Sequence, residues 1–154
     1  MRAIGVTEFG GPEALHVVEL PEPSAGQGEV RIRVHAAAVN PTDTGLRSGA
    51  RAAQLKDIPP PYVPGLDAAG VLDQIGPGVT ADWQVGEHVM AIVVPSGSHG
   101  AYSEQIVVPA ESVARVPEGA SSARTSWSGA ARASPSRCGP SSRRVPTAWS
   151  TRPC

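Results

Sequence analysis

The sequence predicts a mainly β fold for residues 1–120, a barrel or sandwich with one or two short helices. Short apolar runs broken by Gly and Pro recur through this part, and no internal repeat is visible. Leu, Ile, Val and Phe number 30 there, whereas residues 121–154 contain one, Val145. Because a core must offset the entropy lost on ordering the chain, we expect residues 121–154 to be disordered.

The charge divides the chain at the same position. Residues 1–120 carry 7 Lys and Arg against 14 Asp and Glu, and residues 121–154 carry 6 Arg and no acidic residue. The Ser, Arg and Pro of this basic tail are typical of an out-of-frame reading of GC-rich DNA, which suggests a frameshift near Ala120. The alternative is a functional tail whose arginines, with Trp127 and Trp149, attract nucleic acid, but no periodic pattern favours it.

Several protein classes are excluded by simple counts. The longest apolar runs are far shorter than the roughly 18 to 20 residues of a membrane span, and the N-terminus has no signal-peptide pattern. Cys138 and Cys154 both lie in the tail, so residues 1–120 can form neither a disulfide framework nor a thiolate zinc site. We therefore expect a cytoplasmic protein that does not enter a membrane.

Roughly seven strand-like segments follow one another in residues 1–120. They read MRAIGV, LHVVEL, GEVRIRVHAAAVN, AAGVLDQI, EHVMAIVV, AYSEQIVVPA and SVARVP. In the third segment, Val30, Ile32 and Val34 alternate with polar residues, which predicts a long, half-buried strand with His35 on its polar side.

The connection between the third and fourth strands contains the helical signal. Pro41 and Asp43 predict a helix start, and Gly45 and Gly49 predict that any helix is short. The four prolines of the following DIPPPYVPG exclude regular structure there, because proline removes backbone donors and fixes φ.

Two short motifs imitate functional sites. Gly76, Gly78 and Ala81 fit the G-x-G-x-x-A dinucleotide pattern, but a strand follows instead of the helix that binds a pyrophosphate, which favours a plain turn. The SGSHG loop places Ser98 beside His99 without a nucleophile elbow, so a hydrolase is disfavoured.

The histidines do not have the spacing of metal ligands. Each lies in or near a different strand, and a solvated surface side chain is the simpler interpretation. They are His16, His35, His88 and His99.

Three segments, taken in order, carry a family resemblance. They are VRIRVHAAAVNPTDTGLRSG, YVPGLDAAGVLDQIGPGVTADWQVGEHVMAI and HGAYSEQIVVPAESVARVPEG. Together they closely resemble the N-terminal, GroES-like domain of the medium-chain dehydrogenases and reductases, in its zinc-independent quinone oxidoreductase (zeta-crystallin-like) branch. The resemblance implies a partly open β-barrel over residues 1–120.

The same comparison argues against zinc. Zinc alcohol dehydrogenases carry a cysteine where this chain has Asn40, and Gly-His-Glu where it has Gly65, Leu66 and Asp67. An amide and a leucine are not useful zinc ligands, and one carboxylate cannot form the three-ligand catalytic site. We therefore expect no metal.

The resemblance implies catalytic roles for Asn40 and Asp43. Asn40 would lie beside the nicotinamide and the acceptor carbonyl and donate an N–H to the oxygen that gains negative charge. Asp43 would either orient that neighbourhood or cap the following turn. Relatives often carry a tyrosine at the position of Gly45, so its phenol is missing here.

Three further residues are expected beside the substrate or the cofactor. Arg47 matches the family, although an exposed arginine on a short helix is equally ordinary. Gly65 is expected to have a backbone role. Asp67 stands at the position of the glutamate in the zinc alcohol dehydrogenases. Tyr102, in GAYSE, is expected to pack rather than to react.

The implied activity is NADPH-dependent reduction of a quinone or an enone, in a family whose members often form homodimers. Relatives continue after residues 116–119 into a Rossmann domain, and this chain continues into the basic tail instead. We therefore expect a truncated product that binds no NADPH and has little or no activity alone. The alternatives are a non-catalytic GroES-like interaction module with an apolar severed face, and an inert product.

Overall fold

The computed structural model describes residues 1–117 and 119–120. Within them the chain forms seven strands and two short α-helices, which confirms the mainly β fold. The strands are β1 (Arg2–Gly5), β2 (His16–Glu19), β3 (Glu29–Ala37), β4 (Asp67–Ile75), β5 (His88–Ile92), β6 (Gln105–Pro109) and β7 (Val113–Arg115). The helices are α1 (Pro41–Arg47) and α2 (Ala52–Leu55), with 3-10 turns at Pro12–Ala14 and Ala110–Ser112. The expectations for the basic tail lie outside the described residues.

The strands form two antiparallel sheets. One has five strands in the order β6-β3-β4-β5-β7, and the other pairs β1 with β2. The sheets meet where Ala3 bridges Ser103 and where the Ile4 N–H donates to the Tyr102 carbonyl oxygen at 2.7 Å. Within the described residues they do not close into a complete barrel, in agreement with the partly open barrel that was expected.

Strand β3 is an interior strand of the larger sheet, paired with β6 on one side and with β4 on the other. Val30 and Ile32 are fully buried, whereas Arg33 and His35 are exposed, as the alternating pattern predicts. The register between β3 and β4 shifts at two irregularities. At one of them, a Cβ on Gly70 would lie 2.1 Å from the Arg33 carbonyl oxygen, so only glycine allows the two backbones to approach this closely.

Two apolar clusters fix the sheets and the helices. The larger lies on the five-stranded sheet and consists of Val30, Ile32, Ala68, Leu72, Val89, Ala91, Val93, Ala101, Ile106 and Val108. The smaller joins Val6, Leu46 and Tyr62, so that α1 is held through Leu46 against the end of the β1 segment. This packing positions the N-terminus of α1 next to the start of β4.

The connections follow their sequence signals, with one difference. Gly49, with φ +82°, separates α1 from α2. All of residues 76–87 are described and contain no helix, so the G-x-G-x-x-A motif is a turn and loop. The predicted strand AYSEQIVVPA begins only at Gln105, because Ala101 and Tyr102 turn away from the sheet and donate backbone hydrogen bonds to Gly65 and Pro64.

Candidate functional site

The candidate site lies where the N-terminus of α1 meets the first residue of β4. Asn40 is the N-cap of α1, and its carbonyl oxygen accepts the Asp43 N–H at 3.0 Å. Pro41 occupies the first helical position, where its missing N–H costs nothing. This local geometry keeps the Asn40 side chain outside the helix.

The Asn40 side chain is held by the carboxylate of Asp67. Nδ2 of Asn40 donates to Oδ2 of Asp67 at 2.8 Å, across 27 positions of sequence. Both residues are half-buried. A carboxylate beside Nδ2 selects the orientation of the amide, because an ionised carboxylate only accepts hydrogen bonds. The amide nitrogen therefore faces Asp67.

Asp43 is a buried anchor for three separate segments. Its side chain is 6% exposed. Oδ2 accepts the Asn40 N–H at 2.7 Å and the Tyr102 hydroxyl at 3.3 Å, and Oδ1 accepts the Gly65 N–H at 2.9 Å. Asp43 thus caps α1 and also holds the Gly65 bend and the Tyr102 hydroxyl.

Gly65 is the bend that brings Asp67 to Asn40. Its φ is +106°, and a Cβ there would lie 2.8 Å from both the Cβ and the backbone nitrogen of Ala101. Its carbonyl oxygen accepts the Ala101 N–H at 3.1 Å. Glycine is therefore required for backbone conformation and for space, which agrees with the backbone role expected from the sequence.

Tyr102 contributes a hydrogen bond that the sequence did not reveal. Its hydroxyl donates to Asp43, 59 positions away. Burial raises the pKa of the Tyr102 phenol, and the neighbouring Asp43 carboxylate and the hydrogen bond to it raise the pKa further. The phenol therefore remains protonated and acts as a donor.

The raised pKa of Tyr102 predicts a loss of stability at alkaline pH. In the unfolded chain the phenol ionises near pH 10, whereas the folded protein resists that ionisation. The stabilisation is fully present below about pH 10 and declines as the pH rises toward the folded pKa. We expect the free energy of unfolding, measured by urea titration at increasing pH, to fall less steeply in Tyr102→Phe than in the unsubstituted chain.

Tyr62→Phe is the control for this experiment. The Tyr62 hydroxyl donates to the backbone carbonyl of Ile58 at 2.9 Å and not to a carboxylate. This variant should retain the steep alkaline decline. A decline in Tyr102→Phe as steep as that of Tyr62→Phe would contradict the assignment.

Arg47 stands apart from the other candidate residues. It lies in the last turn of α1, where a cation is favourable, and its carbonyl oxygen accepts the Gly10 N–H at 3.0 Å. No hydrogen bond or ion pair joins it to the other four site residues, all of which the structure describes. Its Nη1 is buried without a partner among the described residues. A role beside substrate stays a prediction.

Exposed apolar side chains border the Asn40–Asp67 pair. Val39, directly before Asn40, is 80% exposed. Ile92 lies opposite Asp67 in the β4–β5 register and is 68% exposed, and Val94 is 79% exposed. We call Val39, Ile92 and Val94 the apolar border. All three side chains are largely exposed.

The described residues form neither a cluster of metal ligands nor a membrane-spanning helix. Among the residues that the structure describes, no three His, Cys, Asp or Glu side chains come together to hold a metal ion. In the same part of the chain, no helix has the length and apolar character needed to cross a membrane.

Part of this site was visible in the sequence. The sequence identified Asn40, Asp43, Gly65 and Asp67, and the structure brings these four together. It did not identify the contact of Tyr102 with Asp43 or the apolar border. Neither has a local pattern, because each depends on segments that are distant in sequence.

Comparisons with known proteins agree with the fold. The family model of the alcohol dehydrogenase GroES-like domain matches residues 26–118. A quinone oxidoreductase of Rattus norvegicus is 41% identical over 106 residues, which cover 67% of this chain and 30% of the rat protein. A 2-haloacrylate reductase of a Burkholderia species is 40% identical over 116 residues, covering 71% and 31%. The chain thus spans less than a third of the length of these curated relatives.

Solved structures give the same placement. A mycobacterial quinone oxidoreductase matches with a TM-score of 0.65 and 38% identity, over 79% of this chain and 35% of the other. The Escherichia coli quinone oxidoreductase, solved in complex with NADPH, matches with a TM-score of 0.66 and 27% identity over the same shares.

Proposed function

The chain belongs to the alcohol dehydrogenase GroES-like domain family, in the quinone oxidoreductase branch of the medium-chain dehydrogenases and reductases, and from this we propose its function. Residues 1–120 form the acceptor side of a zinc-independent, NADPH-dependent quinone or enone oxidoreductase. The observation that carries this proposal is the 2.8 Å hydrogen bond from Asn40 Nδ2 to Asp67 Oδ2.

This hydrogen bond prepares Asn40 to act as a donor. Nδ2 carries two hydrogens, and Asp67 takes one of them. No described residue accepts the other, so it is available to the carbonyl oxygen of an acceptor. A donor fixed before the reaction stabilises the negative charge that develops on that oxygen without reorganising. Asn40 thus has the oxyanion-binding role, and Asp67 sets its direction.

Asp43 supports this role through hydrogen bonds from the backbone to its carboxylate. It holds the Asn40 backbone and the Gly65 bend at once, so the distance between Asn40 and Asp67 is fixed by one buried carboxylate. The side chains at this site also support zinc independence. The amide of Asn40, the aliphatic Leu66 and the already engaged Asp67 do not provide the thiolate, imidazole and carboxylate of a catalytic zinc site.

The described residues do not fit the phosphates of NADPH. The one glycine-rich turn that imitates a dinucleotide motif leads into a loop, and no helix N-terminus follows it within residues 76–87. The NADPH assignment rests on the family and on the E. coli relative solved with that cofactor. The cofactor supplies hydride when bound, and we expect its main binding groups outside residues 1–120. A cytoplasmic location is part of this proposal.

Asn40 offers a direct test because it is the only asparagine in the sequence. Selective ¹⁵N-asparagine labelling of the full chain therefore gives the signal of one side-chain amide nitrogen, seen as a pair of ¹H–¹⁵N cross-peaks. Isophorone serves as the probe, since it is an enone whose substituted β-carbon reacts slowly with thiols. We expect a saturable shift of the Asn40 side-chain signal with millimolar isophorone, and no saturable change with NADPH alone.

The control variants separate a specific site from general binding. Asp67→Ala releases the Asn40 amide, so the response to isophorone should weaken. Asp57→Ala removes a carboxylate from an exposed position and should leave the response unchanged. Equal responses in the two variants, or an unresponsive amide in the unsubstituted chain, would refute the acceptor role. NADPH binding with a low-micromolar Kd would refute the expectation that the main NADPH-binding groups lie outside residues 1–120.

The apolar border favours a second candidate function, the non-catalytic interaction module. Ile92 and Val94 are both exposed, whereas Val93 between them is fully buried. An apolar surface of this kind suits a protein partner. Two results together would favour the interaction module. The Asn40 signal would not change with isophorone, and size-exclusion chromatography would show a complex that the Ile92→Glu substitution dissociates.

A further inference from the structure

A cavity of about 350 Å³ lies beside the β1–β2 pair, and none of the five candidate site residues lines it. Its walls come from β1, β2, the second half of β3 and residues 101–104. It exists because the pairing of β3 with β6 ends where Arg33 faces Gln105, while β3 continues to Ala37. Of the residues that line the cavity, Tyr102 also takes part in the candidate site, through the hydrogen bond from its hydroxyl to Asp43.

The cavity wall is mostly apolar. Ile4 and Val17 lie opposite each other in the β1–β2 register and are 37% and 60% exposed. Val34, Ala36 and Ala37 line the facing side. Covering such surface with an apolar molecule is favourable in proportion to the area removed from water. The cavity is open to solvent along one side, and its volume of about 350 Å³ leaves room for one or two rings.

The charged groups at the rim neutralise each other. Nη2 of Arg2 lies 2.6 Å from Oε1 of Glu104, and the Arg2 backbone N–H donates to Oε2 at 2.9 Å. The hydrogen bonds from Arg2 lower the pKa of the Glu104 carboxyl, which keeps the pair ionised. Because Arg2 and Glu104 are paired in this way, they add no net charge, and a neutral ligand is favoured over an ion.

One polar group of the cavity is free to recognise a ligand. His35 is exposed, and no hydrogen bond among the described residues engages its ring nitrogens. Its ring meets that of His88 edge-on, with centroids 6.4 Å apart. A hydroxyl or carbonyl group on the ligand can therefore hydrogen-bond to His35 while the rings contact the apolar wall.

We propose that this cavity binds a neutral molecule of one or two rings that carries a hydroxyl or carbonyl group. The rings lie against Ile4 and Val17, and the polar group meets His35. The site is separate from the acceptor position at Asn40, so the proposal does not depend on the oxidoreductase assignment.

The test uses 2-naphthol as a neutral probe and 2-naphthoate as its anionic counterpart. In methyl-labelled full-length chain, 2-naphthol should shift the signals of Ile4, Val17 and Val34 saturably and leave that of Val85 unchanged. The anion should bind at least about tenfold more weakly, because its charge must be desolvated. Equal or tighter binding of 2-naphthoate would place the ligand on Arg2 and overturn the proposal.

Matched variants locate the ligand. Val17→Asp places a charge on the apolar wall and should weaken 2-naphthol binding by about tenfold or more. Val85→Asp changes a comparably exposed valine outside the cavity, 63% against 60%, and should have no effect. His35→Leu keeps the apolar wall and should weaken binding by about three- to tenfold. Unchanged affinity in both Val17→Asp and His35→Leu would overturn the proposal.

Discussion

Gly65→Ala is expected to lower the free energy of unfolding by about 3 to 5 kcal/mol. A φ of +106° is strained for any residue with a Cβ, at a cost of about 1 to 3 kcal/mol. The new methyl would also lie 2.8 Å from the Ala101 backbone nitrogen, and such overpacking adds about 1 to 3 kcal/mol. Urea unfolding followed by circular dichroism measures the change.

Gly45→Ala is the matched control for this substitution. Gly45 lies inside α1, and a Cβ there has no heavy atom within 4 Å. The substitution should stabilise the protein by about 0.5 to 1 kcal/mol, because alanine has less conformational freedom to lose in a helix. Opposite signs for the two Gly→Ala variants are thus expected. A loss below about 1 kcal/mol for Gly65→Ala would show that this bend is not constrained as described.

Asp43→Ala is expected to destabilise the protein by about 3 to 5 kcal/mol and to weaken the Asn40 response to isophorone. The substitution leaves the Asn40 N–H, the Gly65 N–H and the Tyr102 hydroxyl without their shared acceptor. A buried donor without a partner costs about 1 to 3 kcal/mol, and relaxation recovers part of the sum. The same urea experiment measures the loss of stability.

A graded series distinguishes the hydrogen bonds of Asp43 from its volume. Asp43→Asn keeps the shape and one acceptor oxygen, so its loss should be smaller than that of Asp43→Ala. Asp57→Ala, at an exposed position, should stay within about 0.5 kcal/mol of the unsubstituted chain. If Asp43→Ala and Asp57→Ala were equally stable, Asp43 could not be the anchor of the site.

Much of the fold was predictable because its signals are local. The alternation in β3 follows from the two-residue period of a strand, and Gly49 ends α1 through its positive φ. The boundaries of β6 were less predictable. Residues 101–104 have strand-like composition, but their backbone groups bond to β1 and to Gly65, which are distant in sequence.

The candidate site divides in the same way. Asn40 and Asp43 are three residues apart, so the capping geometry of α1 is a local property that the sequence indicates. The identity of Gly65 pointed to a backbone role but not to its neighbours. The contact that directs the Asn40 amide spans 27 positions, and the contact of Tyr102 with Asp43 spans 59. Such pairs depend on how segments distant in sequence pack together, which local sequence patterns do not encode.

The sequence alone determined the β architecture, the short helices, the position of the compositional break near Ala120 and the residue types at the candidate site. Periodicity, turn residues and charge are properties of neighbouring positions, so they can be read directly from the chain. The tertiary structure decided which carboxylate holds Asn40, that Asp43 joins three segments, and that β3 and β6 separate to leave a cavity. These depend on the packing of distant segments, where distances of a few ångströms decide which groups meet.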